Sequence, residues 1–206
     1  MLKLYYSPGS CALASHITLE EAGASYTAER VNFKASQQTT PEYLAINPKG
    51  RVPALVTDRG VLTETPAILT FIAQSAPQAK LLPEDPFVFA QAQSLISYLC
   101  STVHIAHAHK MRGYRWAAEE TSFADMKRKV PETMAASFAL IERDILKGPW
   151  AMGEQYTICD PYLFTLSGWL EGDGVDMAKL PKIAAHRARM SERPAVQRVL
   201  ADEQAA

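Results

Sequence analysis

Cysteine is scarce in this chain: Cys11, Cys100 and Cys159 are the only three in 206 residues. An odd, sparse set excludes a disulfide framework and fits a reducing compartment, so a cytoplasmic protein is expected. Net charge is nearly absent as well, −1 from 21 Lys and Arg against 22 Asp and Glu. That balance offers no basic face for nucleic acid and no polybasic anchor for an anionic membrane. No apolar run reaches membrane-spanning length. Lys3 is followed by Tyr5, Tyr6, Pro8 and Gly9 rather than by the apolar core of a signal peptide. Repeats and low-complexity tracts are missing. What is present is a chain of 48% hydrophobic residues, long enough for one large domain or two modest ones.

The order of patterns divides the chain. Residues 2–6 read as a short buried strand and residues 12–22 as a helix with Leu13, Ile17 and Leu19 apolar, stopped by Gly23. Residues 26–33 read as a second strand and 41–46 as one or two helical turns. Residues 52–56 and 61–63 form strands around the turn Asp58-Arg59-Gly60. A helix over 65–76 tolerates Pro66 in its first turn and buries Ala67, Ile68, Phe71 and Ile72. Two strands joined by a helix pair in parallel through a right-handed crossover, and a tightly joined pair is antiparallel. This predicts a thioredoxin-like α/β domain over residues 1–77. Pro77, Pro83 and Pro86 mark a linker at 78–86. Helical patterns then cover 87–110, 121–146, 157–170, 181–191 and 194–201, an all-α domain over residues 87–206. Pro131 is expected to kink or restart the second of these helices.

Three local patterns carry chemistry. Ser10-Cys11 falls where the first helix begins, and the unpaired N–H groups and helix dipole there favour a thiolate. Val52-Pro53 precedes a strand. A cis bond would turn the Val52 backbone outward to pair with an extended peptide, while a trans bond makes an ordinary turn. Thr63-Glu64-Thr65 lies at a strand-to-helix junction: Thr65 is a natural N-cap suited to a carboxylate, and Glu64 suits an ammonium group. In the helical half, Thr157-x-x-Asp160 is a capping pattern with Tyr156 as its apolar staple. Asp160 there reads as structural, worth roughly 0.5–2 kcal/mol.

Leu4-Tyr5-Tyr6-Ser7-Pro8-Gly9-Ser10-Cys11, Ala45-Ile46-Asn47-Pro48-Lys49-Gly50-Arg51-Val52-Pro53-Ala54-Leu55 and Leu62-Thr63-Glu64-Thr65-Pro66-Ala67-Ile68 resemble the cytosolic glutathione transferases, most closely their bacterial beta class. Thr157-Ile158-Cys159-Asp160-Pro161 and Arg189-Met190-Ser191-Glu192-Arg193-Pro194 extend the resemblance over nearly the whole chain. It implies a homodimeric, cytoplasmic detoxification enzyme that conjugates glutathione, its co-substrate, to small hydrophobic electrophiles, with no metal. It further implies that Glu64 holds the γ-glutamyl amine and Thr65 its carboxylate. Val52, before a cis Pro53, pairs with the cysteinyl backbone, and Lys34 reaches the glycyl carboxylate. Lys49 and Arg51 add positive potential for a peptide with two carboxylates.

The residue that meets the sulfur is expected to be Cys11 first and Ser10 second, with Tyr6 or Tyr5 the tyrosine-type alternative. His104 stands where beta-class enzymes carry a histidine facing the sulfur. His104 and His107 share a helix face while His109 does not, and no Cys or acidic partner completes a metal site. His107, Met111, Tyr114 and Trp116 are candidates for an electrophile pocket. Ser97 and Ile105 replace the Asn and Lys that beta-class relatives often carry, so a cross-dimer contact to glutathione is in doubt. Glutathione-dependent thiol-disulfide or peroxide reduction, isomerisation, dehalogenation, or a non-enzymatic binding and dimerisation module are the competing readings.

Overall fold

The computed structural model describes residues 1–205. Its first half is a four-stranded sheet in the order β2-β1-β3-β4, with β1 Leu2–Tyr6, β2 Tyr26–Arg30, β3 Ala54–Thr57 and β4 Gly60–Thr63. β1 pairs in parallel with β2, and β3 runs antiparallel to both β1 and β4. The register sets Leu4 opposite Ala28 on one side and Leu55 on the other. Leu4 and Leu55 are fully buried with Ile68 and Leu69 of the helix α3, Thr65–Ser75.

Helix α1, Ala12–Glu21, is buried along eight consecutive residues, Ala12 to Leu19, so it has no solvent face over that length. The cause is its position between two cores. Leu19 joins the sheet-side core, whereas Leu13 and Ile17 pack with Phe164, Met190, Val196 and Val199 of the helical half. Each such side chain contributes about 1.5–3 kcal/mol when buried, so α1 holds the two halves together.

The second strand is shorter than the pattern 26–33 predicts. Val31 N–H still donates to the Tyr6 carbonyl at 2.7 Å. Asn32 then accepts from Ala35 N–H at 3.2 Å, and this local bond starts a 3-10 turn at Phe33–Ala35 in place of strand pairing. A further 3-10 turn, Gln37–Thr39, leads to the short helix α2, Pro41–Leu44.

Helix α4, Pro86–Tyr98, is capped by Asp85, whose carboxylate accepts from Phe87 and Val88 N–H at 2.9 Å each. It runs through a π-helical turn, Leu99–Val103, into α5, His104–Ala108. Such turns often mark functional positions, and Cys100 and His104 both face the cavity described below. Helix α6, Glu120–Leu140, passes through Pro131 without restarting. Proline removes the bond to the carbonyl four residues back, here that of Lys127, an exposed residue within reach of water. Helices α7 Cys159–Ser167, α8 Pro181–Ser191 and α9 Pro194–Ala205 complete the bundle.

Candidate active site

One cavity of about 380 Å³ is lined by both halves of the chain. Its floor begins at the turn after β1. Gly9 adopts φ +70°, a region that glycine occupies without cost, and it delivers Ser10 and Cys11 to the start of α1. The peptide of Gly9 is held on both sides from the helical half. Trp169 Nε1 donates to its carbonyl at 3.0 Å, and its N–H donates to Glu203 Oε2 at 3.2 Å. The other Glu203 oxygen pairs with His16 Nδ1 at 3.1 Å, both side chains being buried.

Opposite Cys11 stands Val52, and the Val52-Pro53 bond is cis. The loop before it is fixed by Tyr43 Oη and Asn47 Nδ2, which each donate to the Arg51 carbonyl at 2.7 Å. Cys11 Sγ donates to the Val52 carbonyl at 3.4 Å. The expected thiolate is corrected here. Burial pushes the Cys11 thiol up to about 11, outweighing the lowering by the Thr65 hydrogen bond and the positive charge of Arg112. The cost of burying the charged sulfur outweighs what the helix start offers it.

The N-cap of α3 is Glu64, not Thr65: Glu64 has φ +72° and Thr65 is the first helical residue, buried beside Cys11. A non-glycine residue at positive φ costs about 1–3 kcal/mol and persists where its surroundings fix it. Lys49 Nζ supplies part of that fixing, 2.5 Å from Glu64 Oε1 and 2.8 Å from Thr63 Oγ1. Lys49 thus does not line the cavity; it neutralises the carboxylate that does.

The helical wall carries His104 and His107, which flank Trp169 at ring-centre distances of 5.1 Å and 4.1 Å. Asp173 ties this wall down, 2.7 Å from His107 Nδ1 and 3.1 Å from Lys110 Nζ. Burial lowers His104 to about 4, helped by the positive field of His107, Arg112, Arg51 and Arg115. It is a neutral imidazole at physiological pH.

Most of the predicted residues converge: Ser10, Cys11, Arg51, Val52, Pro53, Glu64, Thr65, His104, His107 and Tyr114 all line the cavity. Four more do not. Tyr6 packs on His16 at 5.1 Å and lines a separate cavity with Tyr26 and Asp202, while Tyr5 packs edge-on against Tyr43. Adjacent strand residues point to opposite faces, and neither face puts a phenol in the site cavity. Lys34 sits in the 3-10 turn, where Phe33 faces the cavity instead. Met111 is 83% exposed to solvent. Trp116 packs edge-on against His109 at 4.6 Å, so His109, at the end of α5, does not join His104 and His107. Among the described residues no group of three His, Cys, Asp or Glu side chains is placed to hold a metal ion. No helix among them is long and apolar enough to cross a membrane.

Ser97 is exposed and outside the cavity; Ile105 lines it. The sequence reading overlooked Trp169, Tyr162, Arg112 and Arg115, all of which line it. Nothing local pointed to Trp169.

Residues 1–74 match the family model of the glutathione S-transferase N-terminal domain. Glutathione S-transferase GstA of Escherichia coli O157:H7 is 34% identical to the chain over 205 residues, 98% of each protein. The chain belongs to the glutathione S-transferase family. Among solved structures, a glutathione transferase homologue from Sulfitobacter with bound glutathione superposes with a TM-score of 0.96 at 51% identity, over 98% of both chains. The bacterial beta class glutathione S-transferase of Sphingomonas chungbukensis gives 0.86 at 33% identity, over 99% of this chain and 100% of that one. The cavity floor, from Cys11 to Glu64, lies in the part of the chain that the family model matches. The histidine and arginine wall is the half built by the helices.

Proposed function

We propose that the cavity binds reduced glutathione along its floor and presents the sulfur, as thiolate, to a small electrophile against the helical wall. The observation that carries this is the convergence of Cys11, the cis Val52-Pro53 peptide and the Glu64-Thr65 helix start on one cavity. Glu64 takes the γ-glutamyl ammonium and the α3 start takes its carboxylate. The Val52 backbone pairs with the cysteinyl part. Arg51 takes the glycyl carboxylate in place of Lys34, which lies off the cavity.

The protonation of Cys11 decides its role. With its thiol pushed up to about 11, on the order of one molecule in 10⁴ carries the thiolate at neutral pH. That is a poor nucleophile for a mixed disulfide and a good neutral donor. Cys11 S–H donates to the glutathione sulfur, which lowers the sulfur's pKa. The glutathione proton leaves to water, the sulfur forms the new bond to carbon, and the electrophile's leaving group departs with its bonding pair. Conjugation is therefore the main activity, and thiol-disulfide reduction by Cys11 is secondary. Positioning and thiolate stabilisation supply most of the rate effect.

A division into a glutathione-binding domain at 1–77 and an electrophile-binding domain at 87–206, joined by 78–86, goes with this reading. So does a homodimer in the cytoplasm acting in detoxification. Phe87, 72% exposed at the start of α4, and three free cysteines support those two statements.

The test is calorimetric titration of the reduced protein with reduced glutathione and with S-methylglutathione. Tight binding of the thiol with clearly weaker binding of the methylated form is expected. No binding of either would remove the glutathione site and leave a binding module.

A further inference from the structure

Three arginines line the cavity: Arg51 from the floor and Arg115 from the segment after α5, both solvent-exposed, and between them in sequence the partly buried Arg112. The carboxylates nearby are engaged by other cations. Glu64 is held by Lys49, and Asp173 by His107 and Lys110. Among the described residues, no side-chain hydrogen bond or ion pair involves any of the three guanidinium groups. Arg112 is partly buried, and burial together with the like charges of Arg115 and Arg51 makes its own charge costly, as its lowered pKa reflects. A half-buried cation without a counter-charge is a liability that a protein keeps where a ligand supplies the charge.

A charge count shows which ligand. Glutathione brings two carboxylates and one ammonium. In the reading above, Glu64 takes the ammonium, the α3 start takes one carboxylate and Arg51 the other. Arg112 and Arg115 are left over. They lie on the electrophile side with Tyr114, whose ring is 6.0 Å from the Arg115 guanidinium carbon, and beside the apolar Ile105 and Ala108.

The geometry points to a carboxylate-bearing electrophile, an apolar or aromatic body ending in an anion that Arg112 and Arg115 receive. This deepens the transferase reading and rests on it. It also narrows the expectation of a merely hydrophobic second substrate. A substrate of this class is an activated aryl halide carrying a carboxylate. The glutathione sulfur forms the C–S bond, halide leaves with the C–X bonding pair, and the thiol proton passes to water. The carboxylate is untouched and serves only to orient the ring. The planar fork of arginine suits that task better than lysine would.

The experiment compares two stable products by calorimetry, S-(4-carboxyphenyl)glutathione and the isosteric S-(4-carbamoylphenyl)glutathione, with reduced glutathione as reference. The carboxylate form is expected to bind roughly 10- to 100-fold tighter than the carboxamide, the usual range for hydrogen bonds to a charged group. The Arg112→Gln, Arg115→Gln double variant is expected to bring the carboxylate form to the level of the carboxamide. Equal binding of the two products by the unaltered protein overturns the inference while leaving the transferase reading in place, provided that glutathione binds. Failure of glutathione itself to bind overturns both. The comparison on the unaltered protein decides the matter even where the double variant folds poorly.

Discussion

Cys11 Sγ and the Val52 carbonyl oxygen face each other at 3.4 Å across the cavity floor. The two residues are 41 positions apart, one at a helix start and the other at a cis peptide. Burial pushes the Cys11 thiol up to about 11, so it keeps its hydrogen at neutral pH and has one to give. A glutathione thiolate in the same place is the stronger acceptor, and the S–H turns to it.

The first prediction follows. Cys11→Ala removes one donor from the glutathione sulfur. We expect kcat/KM for conjugation to fall about tenfold, with the apparent pKa of the bound glutathione thiol rising by about one unit, since 1.4 kcal/mol corresponds to either. Cys11→Ser keeps a donor and should stay within about threefold of the original. Ser10 Oγ accepts from Ala12 N–H at 3.3 Å, which leaves its O–H free, so Ser10→Ala removes both a helix-start acceptor and the second candidate donor. The pH–rate profiles of the three variants distinguish these outcomes. A larger loss in Ser10→Ala than in Cys11→Ala would reverse the assignment.

His104 gives a prediction in pH. Its folded pKa lies at about 4, below the ordinary 6.5. The unfolded chain therefore binds this proton first as pH falls. The stability contributed by keeping His104 neutral is complete above about 6.5 and is lost between there and about 4, by at most about 3 kcal/mol. Urea unfolding at pH 7.5 and 5 should show the loss, and His104→Gln should reduce it. An imidazole resonance of His104 that titrates near 6.5 would contradict the argument.

Glu203 is the third case. It lies in the last helix, yet it receives the Gly9 N–H and pairs with buried His16. Glu203→Ala leaves both donors without a partner inside the fold and should cost about 3–5 kcal/mol, the range for breaking a buried pair. It should also weaken glutathione binding, because the Gly9 peptide sets the approach to Cys11. Glu203→Gln keeps an acceptor for Gly9 and should recover much of the affinity. Calorimetric Kd values alongside Tm separate the two effects. A full loss of stability with unchanged Kd would reduce Glu203 to a structural clamp.

These residues also show where the sequence was legible. Val52-Pro53 and Glu64-Thr65 stand at element junctions, where proline and capping chemistry leave local marks; both line the cavity, with the cap one residue earlier than expected, at Glu64. Period-2 alternation puts Tyr5 and Tyr6 on opposite faces of β1 but does not say which face meets the site; in the fold neither does. Lys34 was implied by the resemblance alone, and the turn that Asn32 caps carries it off the cavity. Trp169 meets Gly9 across 160 positions, a contact with no local periodicity. Arg112 and Arg115 sit in a segment without regular pattern, so only the cavity identifies them. The magnitude expected for Asp160 was also set by its capping role alone, and the fold assigns it more.

Asp160 is fully buried, and its carboxylate accepts from Ala151 N–H at 2.7 Å, Thr157 N–H at 2.7 Å and His186 Nε2 at 3.0 Å. His186 Nδ1 is buried without a partner, so among the described residues Asp160 is the one hydrogen-bond partner of this ring. One side chain thus joins the loop before α7, the cap of α7 and helix α8. An N-cap alone is worth roughly 0.5–2 kcal/mol. Here three buried donors lose their acceptor together, and each unsatisfied group costs about 1–3 kcal/mol. Asp160→Ala should therefore destabilise the fold by about 3–5 kcal/mol. Asp160→Asn, which retains one acceptor oxygen, should lose less. Equilibrium denaturation checks both. Glutathione affinity in the folded fraction should be preserved, since none of these groups lines the cavity. A loss under 2 kcal/mol in Asp160→Ala would return the residue to a simple helix cap.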